Sequence, residues 1–222
     1  MRRWNAELLG WALLALGAGV LGGAWLGGWL GTIVLCVALL VPVVLACRRG
    51  IPRGLLRLRA VDLLYGVVLG GILRVMQGWL ADLFGASGAL PAYPSLNGAL
   101  PAWWWLEDLL GGALVAPVVE EFFFRGLLLV VIFTLVRRFA GNDGAGVGLG
   151  GFVAVVASAG LFVVTHYLTG AVSMDAAASL TFVGIVCGLL VVFTGRIWPA
   201  VLVHIVYNGA GVLLTVAGTL LG

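Results

Sequence analysis

The chain has 222 residues, of which 63% are apolar and 9% charged, with a mean hydropathy of +1.19. No single soluble core of this length can hide so much apolar surface, so the bilayer must serve as solvent. The formal net charge of +3 comes from arginines flanking the apolar runs, and no nucleic-acid partner is expected. A spanning backbone has to satisfy its own hydrogen bonds, which leaves helices or a closed barrel. The apolar runs are continuous rather than alternating, so the reading is an all-α, polytopic transmembrane helical bundle of about seven spans. Tails and loops are too short to fold separately, giving a single integral membrane domain over 1–222.

Met1-Arg2-Arg3 and the apolar run behind it resemble a signal peptide, but that run continues to Cys47. It is read as two retained helices, 7–27 and 29–47, split near Gly27-Gly28. A third span covers 60–84. The loop 85–102, with Pro91, Pro94 and Pro101, is too broken to cross. The fourth helix, 103–136, is unusually long and carries Pro117, where a kink or break is expected. Spans 148–168, 176–195 and 197–219 complete the set. Among the glycines, Gly27/Gly31, Gly66/Gly70 and Gly184/Gly188 form GxxxG pairs suited to close helix approach. Cys36, Cys47 and Cys187 show no metal spacing.

With these spans, Arg2, Arg3, Arg48, Arg49, Arg53, Arg57, Arg59, Arg137, Arg138 and Arg196 fall on one side. The other side holds Asp82, Glu107, Asp108 and Asp175. The positive-inside rule makes the first side cytoplasmic, with the N-terminus in and the C-terminus out, and Trp103, Trp104 and Trp105 as an outer interfacial anchor. The arginine-only, compact chain is expected in a bacterial cytoplasmic membrane.

Arg74, Glu120, Glu121 and Arg125 remain at bilayer depth, where a charge costs ~3 kcal/mol or more and marks a functional candidate. Arg74 reads as a snorkelling or internally paired cation. Adjacent Glu120 and Glu121 point ~100° apart on a helix and cannot share one role. Arg125 lies on the face of Glu121, in the favourable order for an i,i+4 pair. Glu120 is left without a local cation, as suits a general base. Both histidines of the chain lie in apolar spans: Phe162 and His166 share one face, His204 and Asn208 another.

Glu120, His166, His204 and Asn208 together make a hydrolytic kit. Glu120 and His166 can hold and deprotonate a water, while His204 and Asn208 can donate to the oxyanion of a tetrahedral intermediate. Neither histidine has a Ser or Cys nucleophile beside it, and there is no HExxH.

Glu120-Glu121-xxx-Arg125, Phe162-xxx-His166 and His204-xxx-Asn208, in this order on three spans, resemble the CAAX-processing and bacteriocin-processing family of intramembrane proteases, which includes the Abi proteins and CAAX prenyl endopeptidases. The resemblance covers 103–219, leaving 1–102 as N-terminal spans outside it. It implies an intramembrane endopeptidase acting on a membrane-associated peptide or protein, with membrane lipids around it. It further implies Glu120 as base with His166, His204 with Asn208 as the oxyanion pair, and Glu121 with Arg125 as the supporting ion pair. No cofactor is expected, since Asn is a poor zinc ligand and a good oxyanion donor. Zinc on Glu120, His166 and His204 is the mechanistic alternative. A non-catalytic immunity or scaffold protein of the same fold, or a proton-coupled transporter, is the functional alternative. One conflict stands in this reading. His204 lies ~10 Å and His166 ~27 Å from the arginine-rich end of their helices, so they meet only through tilt, re-entry after His166, or different boundaries.

Overall fold

The computed structural model describes residues 4–85, 88–95, 98–141, 143–170 and 172–221. The Arg2-Arg3 pair, assigned above to the cytoplasmic side, lies outside them. Among the described residues the chain forms seven helices and no strand. They are α1 (Ala6–Leu26), α2 (Gly28–Arg48), α3 (Ala60–Leu83), α4 (105–140), α5 (Gly144–Thr169), α6 (Met174–Thr194) and α7 (Trp198–Leu221). All except α4 are uniformly long and apolar enough to cross a membrane. Large apolar side chains such as Leu14, Leu21, Trp25, Ile72 and Trp79 stay exposed on the outer faces, as expected where lipid replaces water. The protein is an integral membrane helical bundle.

Local sequence explains the breaks. Asn5 caps α1 by accepting from the Leu8 N–H at 3.2 Å, and Asp143 caps α5 by accepting from Gly146 at 2.9 Å, each satisfying an orphan donor. Gly27 separates α1 from α2 at φ +66°, a conformation that glycine adopts without penalty. The expected Gly27/Gly31 contact is therefore replaced. Gly27 is the turn itself, and Gly31 packs on the backbone of Gly23. The other two pairs are helix contacts as read. Cβ atoms at Gly66 and Gly70 would collide with Leu202, Val203 and Val206 of α7, and one at Gly184 would crowd Ala159 of α5.

Helix α4 is continuous but irregular. It runs as a π-helical stretch (Trp105–Val115), a short α segment (Ala116–Glu121), a second π-helical stretch (Phe122–Leu129) and a final α segment (Val130–Ala140). Pro117 sits at the first junction, where a missing N–H breaks the regular ladder. Such i→i+5 turns are frequent at functional sites.

The arginine-rich end is tied together across elements. Trp4 donates to the Gly50 carbonyl at 2.9 Å, Arg49 pairs with Glu7 at 3.2 Å, and Arg196 pairs with buried Asp62 at 2.5 Å. The segment 49–59 packs under the start of α7: Ile197 N–H donates to Leu55 O at 2.9 Å, and Trp198 Nε1 to Leu56 O at 2.8 Å. Arg196, Ile197, Pro199 and Ala200 are buried as a result. Helix α7 thus begins among packed neighbours. The two histidines converge all the same, each ring meeting that of Phe162, at 5.6 Å for His204 and 4.5 Å for His166.

Candidate active site

Glu120 and Glu121 close the central α segment of α4 and take different environments. The Glu120 side chain keeps 18% of its surface exposed, whereas that of Glu121 keeps none. The Glu121 Oε1 atom accepts from Arg125 Nη1 at 2.9 Å, the i,i+4 pair expected from spacing. The same oxygen receives His204 Nδ1 from α7, also at 2.9 Å. An ionised carboxylate only accepts, so Nδ1 carries a proton and donates it. The other ring nitrogen, Nε2, faces Glu120 Oε2 at 3.8 Å. That distance is beyond a direct hydrogen bond, yet short enough for one water or one substrate oxygen to touch both groups.

Phe162 organises the aromatic side of the cluster. It is fully buried and lies under the Arg125 guanidinium, 4.5 Å from ring centroid to Cζ. Its ring meets both imidazoles edge-on, at 4.5 Å to His166 and 5.6 Å to His204. Its carbonyl contacts His166 Nδ1 at 2.9 Å. A carbonyl oxygen can only accept, so His166 also carries its proton on Nδ1 and presents Nε2. The π-helical stretch is fixed from α5, where Ser158 donates to Phe124 O at 2.8 Å.

Asn208 lies one turn beyond His204 and is not drawn into that cluster. Its Nδ2 donates to the Gly112 carbonyl at 3.0 Å. Sequence reasoning missed this partner, although Pro117 was the available signal. The Ala116 N–H is given to Gly111 O, so the next donor in that register would be Pro117, which has none. Asn208 satisfies the carbonyl that proline leaves open. One proton of its amide is used there, and the second remains for another acceptor.

Glu120, Glu121, Arg125, Phe162 and His204 therefore meet directly. His166 joins through Phe162, and Asn208 stands apart in the wall of a cavity of about 340 Å³, together with Arg74, Tyr93, Asp108 and Gly211. Glu121 Oε2 and Arg125 Nε and Nη2 are buried without a hydrogen-bond partner among the described residues, so the Glu121–Arg125 pair depends on its few contacts.

Zinc requires three protein ligands around an open position. Each histidine offers suitable chemistry, with Nδ1 anchored and Nε2 left as a ligand atom. Among the described residues, however, no three His, Cys, Asp or Glu side chains are grouped to hold a metal ion.

Residues 102–210, about half of the chain, match the family described as Rce1-like, "Type II CAAX prenyl endopeptidase Rce1-like". No curated protein and no solved structure matches the chain. The matched region contains Glu120-Glu121-xxx-Arg125, Phe162-xxx-His166 and His204-xxx-Asn208 together. Over these residues the chain belongs to the Rce1-like family of type II CAAX prenyl endopeptidases, which are intramembrane proteases.

Proposed function

We propose that this protein hydrolyses a peptide bond of a membrane-associated peptide or protein with a water activated by Glu120 and His166. The observation that supports this most is the asymmetry of the two carboxylates. Glu121 is buried and committed to Arg125 and His204, while Glu120 is partly exposed beside the free edge of His204. A base needs access to water; a supporting group needs burial.

In this reading Glu120 takes a proton from the water and the resulting hydroxide adds to the scissile carbonyl. His204 and Asn208 donate hydrogen bonds to the oxygen that becomes negative. His204 donates from Nε2 only when the ring carries both protons, because Nδ1–H is already given to Glu121. With two carboxylates beside it and Arg125 behind Glu121, that form leaves the cluster electrically balanced. Glu120 then returns its proton to the leaving amine as the C–N bond breaks. The arginine-rich end, on this proposal, faces the cytoplasm of a bacterial cell.

The reaction so written needs no metal. Purified protein in proteoliposomes should cleave a panel of membrane-anchored peptides, prenylated CAAX peptides included, after prolonged exposure to EDTA or phenanthroline. Elemental analysis should find substoichiometric zinc. Stoichiometric zinc lost together with activity would defeat this mechanism and leave the protease assignment standing.

A further inference from the structure

The cavity beside Asn208 contains a cation that the hydrolytic site does not use. Arg74 lies in α3, well inside a transmembrane helix, and makes no ion pair with a described residue. Among the described residues its guanidinium lies over the ring of Tyr207, 5.3 Å from Cζ to centroid. Tyr207 is itself engaged with Ser179 at 2.7 Å and with Gln77. A guanidinium at this depth is retained at a cost unless an anion meets it. Gly211 lies against the guanidinium: a Cβ there would come within 2.5 Å of Nη1 and oblige the flexible side chain to shift. Arg74 and Gly211 line the same space.

The same lining supplies an acceptor. Asp108 takes the Tyr93 hydroxyl at 2.6 Å and lines the same space. A ligand lying here meets a cation and a carboxylate together, so it should carry an anionic group and an N–H donor. A peptide bearing a carboxylate has both. The volume is at the small end of ligand sites, enough for a short peptide segment. Because Asn208 lines this cavity, its occupant is continuous with the bond that Asn208 is proposed to serve.

We infer that Arg74 is a specificity-determining residue that binds a carboxylate of the substrate peptide, from its chain end or from an acidic side chain. This rests on the hydrolytic reading only in calling the peptide a substrate. The test therefore measures binding apart from cleavage, on the full chain in nanodiscs of phosphatidylcholine. The probes are acetyl-trialanine with a free carboxylate, its C-terminal amide, and acetyl-Ala-Glu-Ala amide. Affinity is read from ligand-induced shifts of the melting temperature.

The free acid, the glutamate peptide or both should bind at least ~10-fold more tightly than the trialanine amide, and Arg74→Gln should erase that difference. Arg74→Lys should recover part of it. Gly211→Ala, which keeps the charge but displaces it, should weaken the carboxylate probes alone. Glu120→Gln should bind all probes as the wild type does. A loss of cleavage in Glu120→Gln therefore leaves the subsite intact, and an inactive wild type that still selects carboxylates through Arg74 would sink only the protease reading. Binding of both carboxylate probes no tighter than that of the trialanine amide, or unchanged selectivity in Arg74→Gln, would overturn the subsite. So would an Arg74-dependent shift seen only when phosphatidylethanolamine or phosphatidylglycerol is added, which would make it a headgroup site.

Discussion

One oxygen, Oε1 of Glu121, accepts both Arg125 Nη1 and His204 Nδ1, each at 2.9 Å. The bond to His204 joins residues 83 positions apart. It converts what spacing alone reads as a local ion pair into the support of the histidine that faces Glu120. Two adjacent glutamates thereby divide the work, one holding the site in shape and one left open to water.

Glu121→Ala should therefore destabilise the protein in detergent by about 3–5 kcal/mol, because a buried guanidinium loses its partner. Glu120→Gln should melt near the wild-type temperature, since its side chain is partly exposed and its approach to His204, at 3.8 Å, is longer than a hydrogen bond. Thermal melts of the two variants check this directly. Similar melting temperatures would show that the carboxylates are not divided in this way.

Asn208 carries two separable duties on this account. Asn208→Ala should reduce kcat by ~10²-fold or more with KM near wild type, since an oxyanion bond forms chiefly in the transition state. It should also cost at most about 1 kcal/mol through loss of its bond to the exposed Gly112 carbonyl. Adding Pro117→Ala restores a backbone donor, so the double variant should regain stability without regaining rate. Recovery of kcat in the double variant would mean that Asn208 acts only through α4.

The arrangement of the arginines can be checked independently of catalysis. Reporter fusions after Arg53 and at the C-terminus should lie on opposite sides of the membrane, with Arg53 cytoplasmic. Both reporters on one side would exclude the seven-span topology.

The loop that roofs the Arg74 cavity carries a titratable link. The Tyr93 hydroxyl is pushed up to about 12, by burial first and then by its bond to the Asp108 carboxylate. The folded state therefore holds this proton when an unfolded tyrosine, with its ordinary value near 10, has released it. Stability from this contact is fully present below about pH 10 and is lost as pH rises toward 12. Tyrosinate absorbance of wild type minus Tyr93→Phe should show one group titrating near the top of this window. A difference curve centred near pH 10 would contradict the buried bond.

The spans were legible because each is a run of about 20 apolar residues, and the polar set because charge at bilayer depth is expensive enough to be informative. The Glu121–Arg125 pair followed from helical spacing alone. Three features did not. Nothing local in the sequence pairs His204 with Glu121, since their contact depends on how α7 packs on α4. The buried start of α7 depends on segment 49–59 folding against it, through bonds from Ile197 to Leu55 and from Trp198 to Leu56 that no local pattern announces. Arg74 stood out as a charge, but the glycine it packs against lies 137 positions away, at Gly211. The role of Gly27 was misread because a GxxxG spacing does not distinguish a packing face from a turn, whereas its positive φ does.

The most direct test of the hydrolytic account is the cleavage of membrane-anchored peptides by wild type, Glu120→Gln and His166→Ala, compared in proteoliposomes at matched folded fraction. The account predicts cleavage by the wild type and a loss of ~10²-fold or more in kcat for each variant, because both act on the attacking water. Near-wild-type turnover by either variant would contradict it, since no water activation by Glu120 and His166 survives that result.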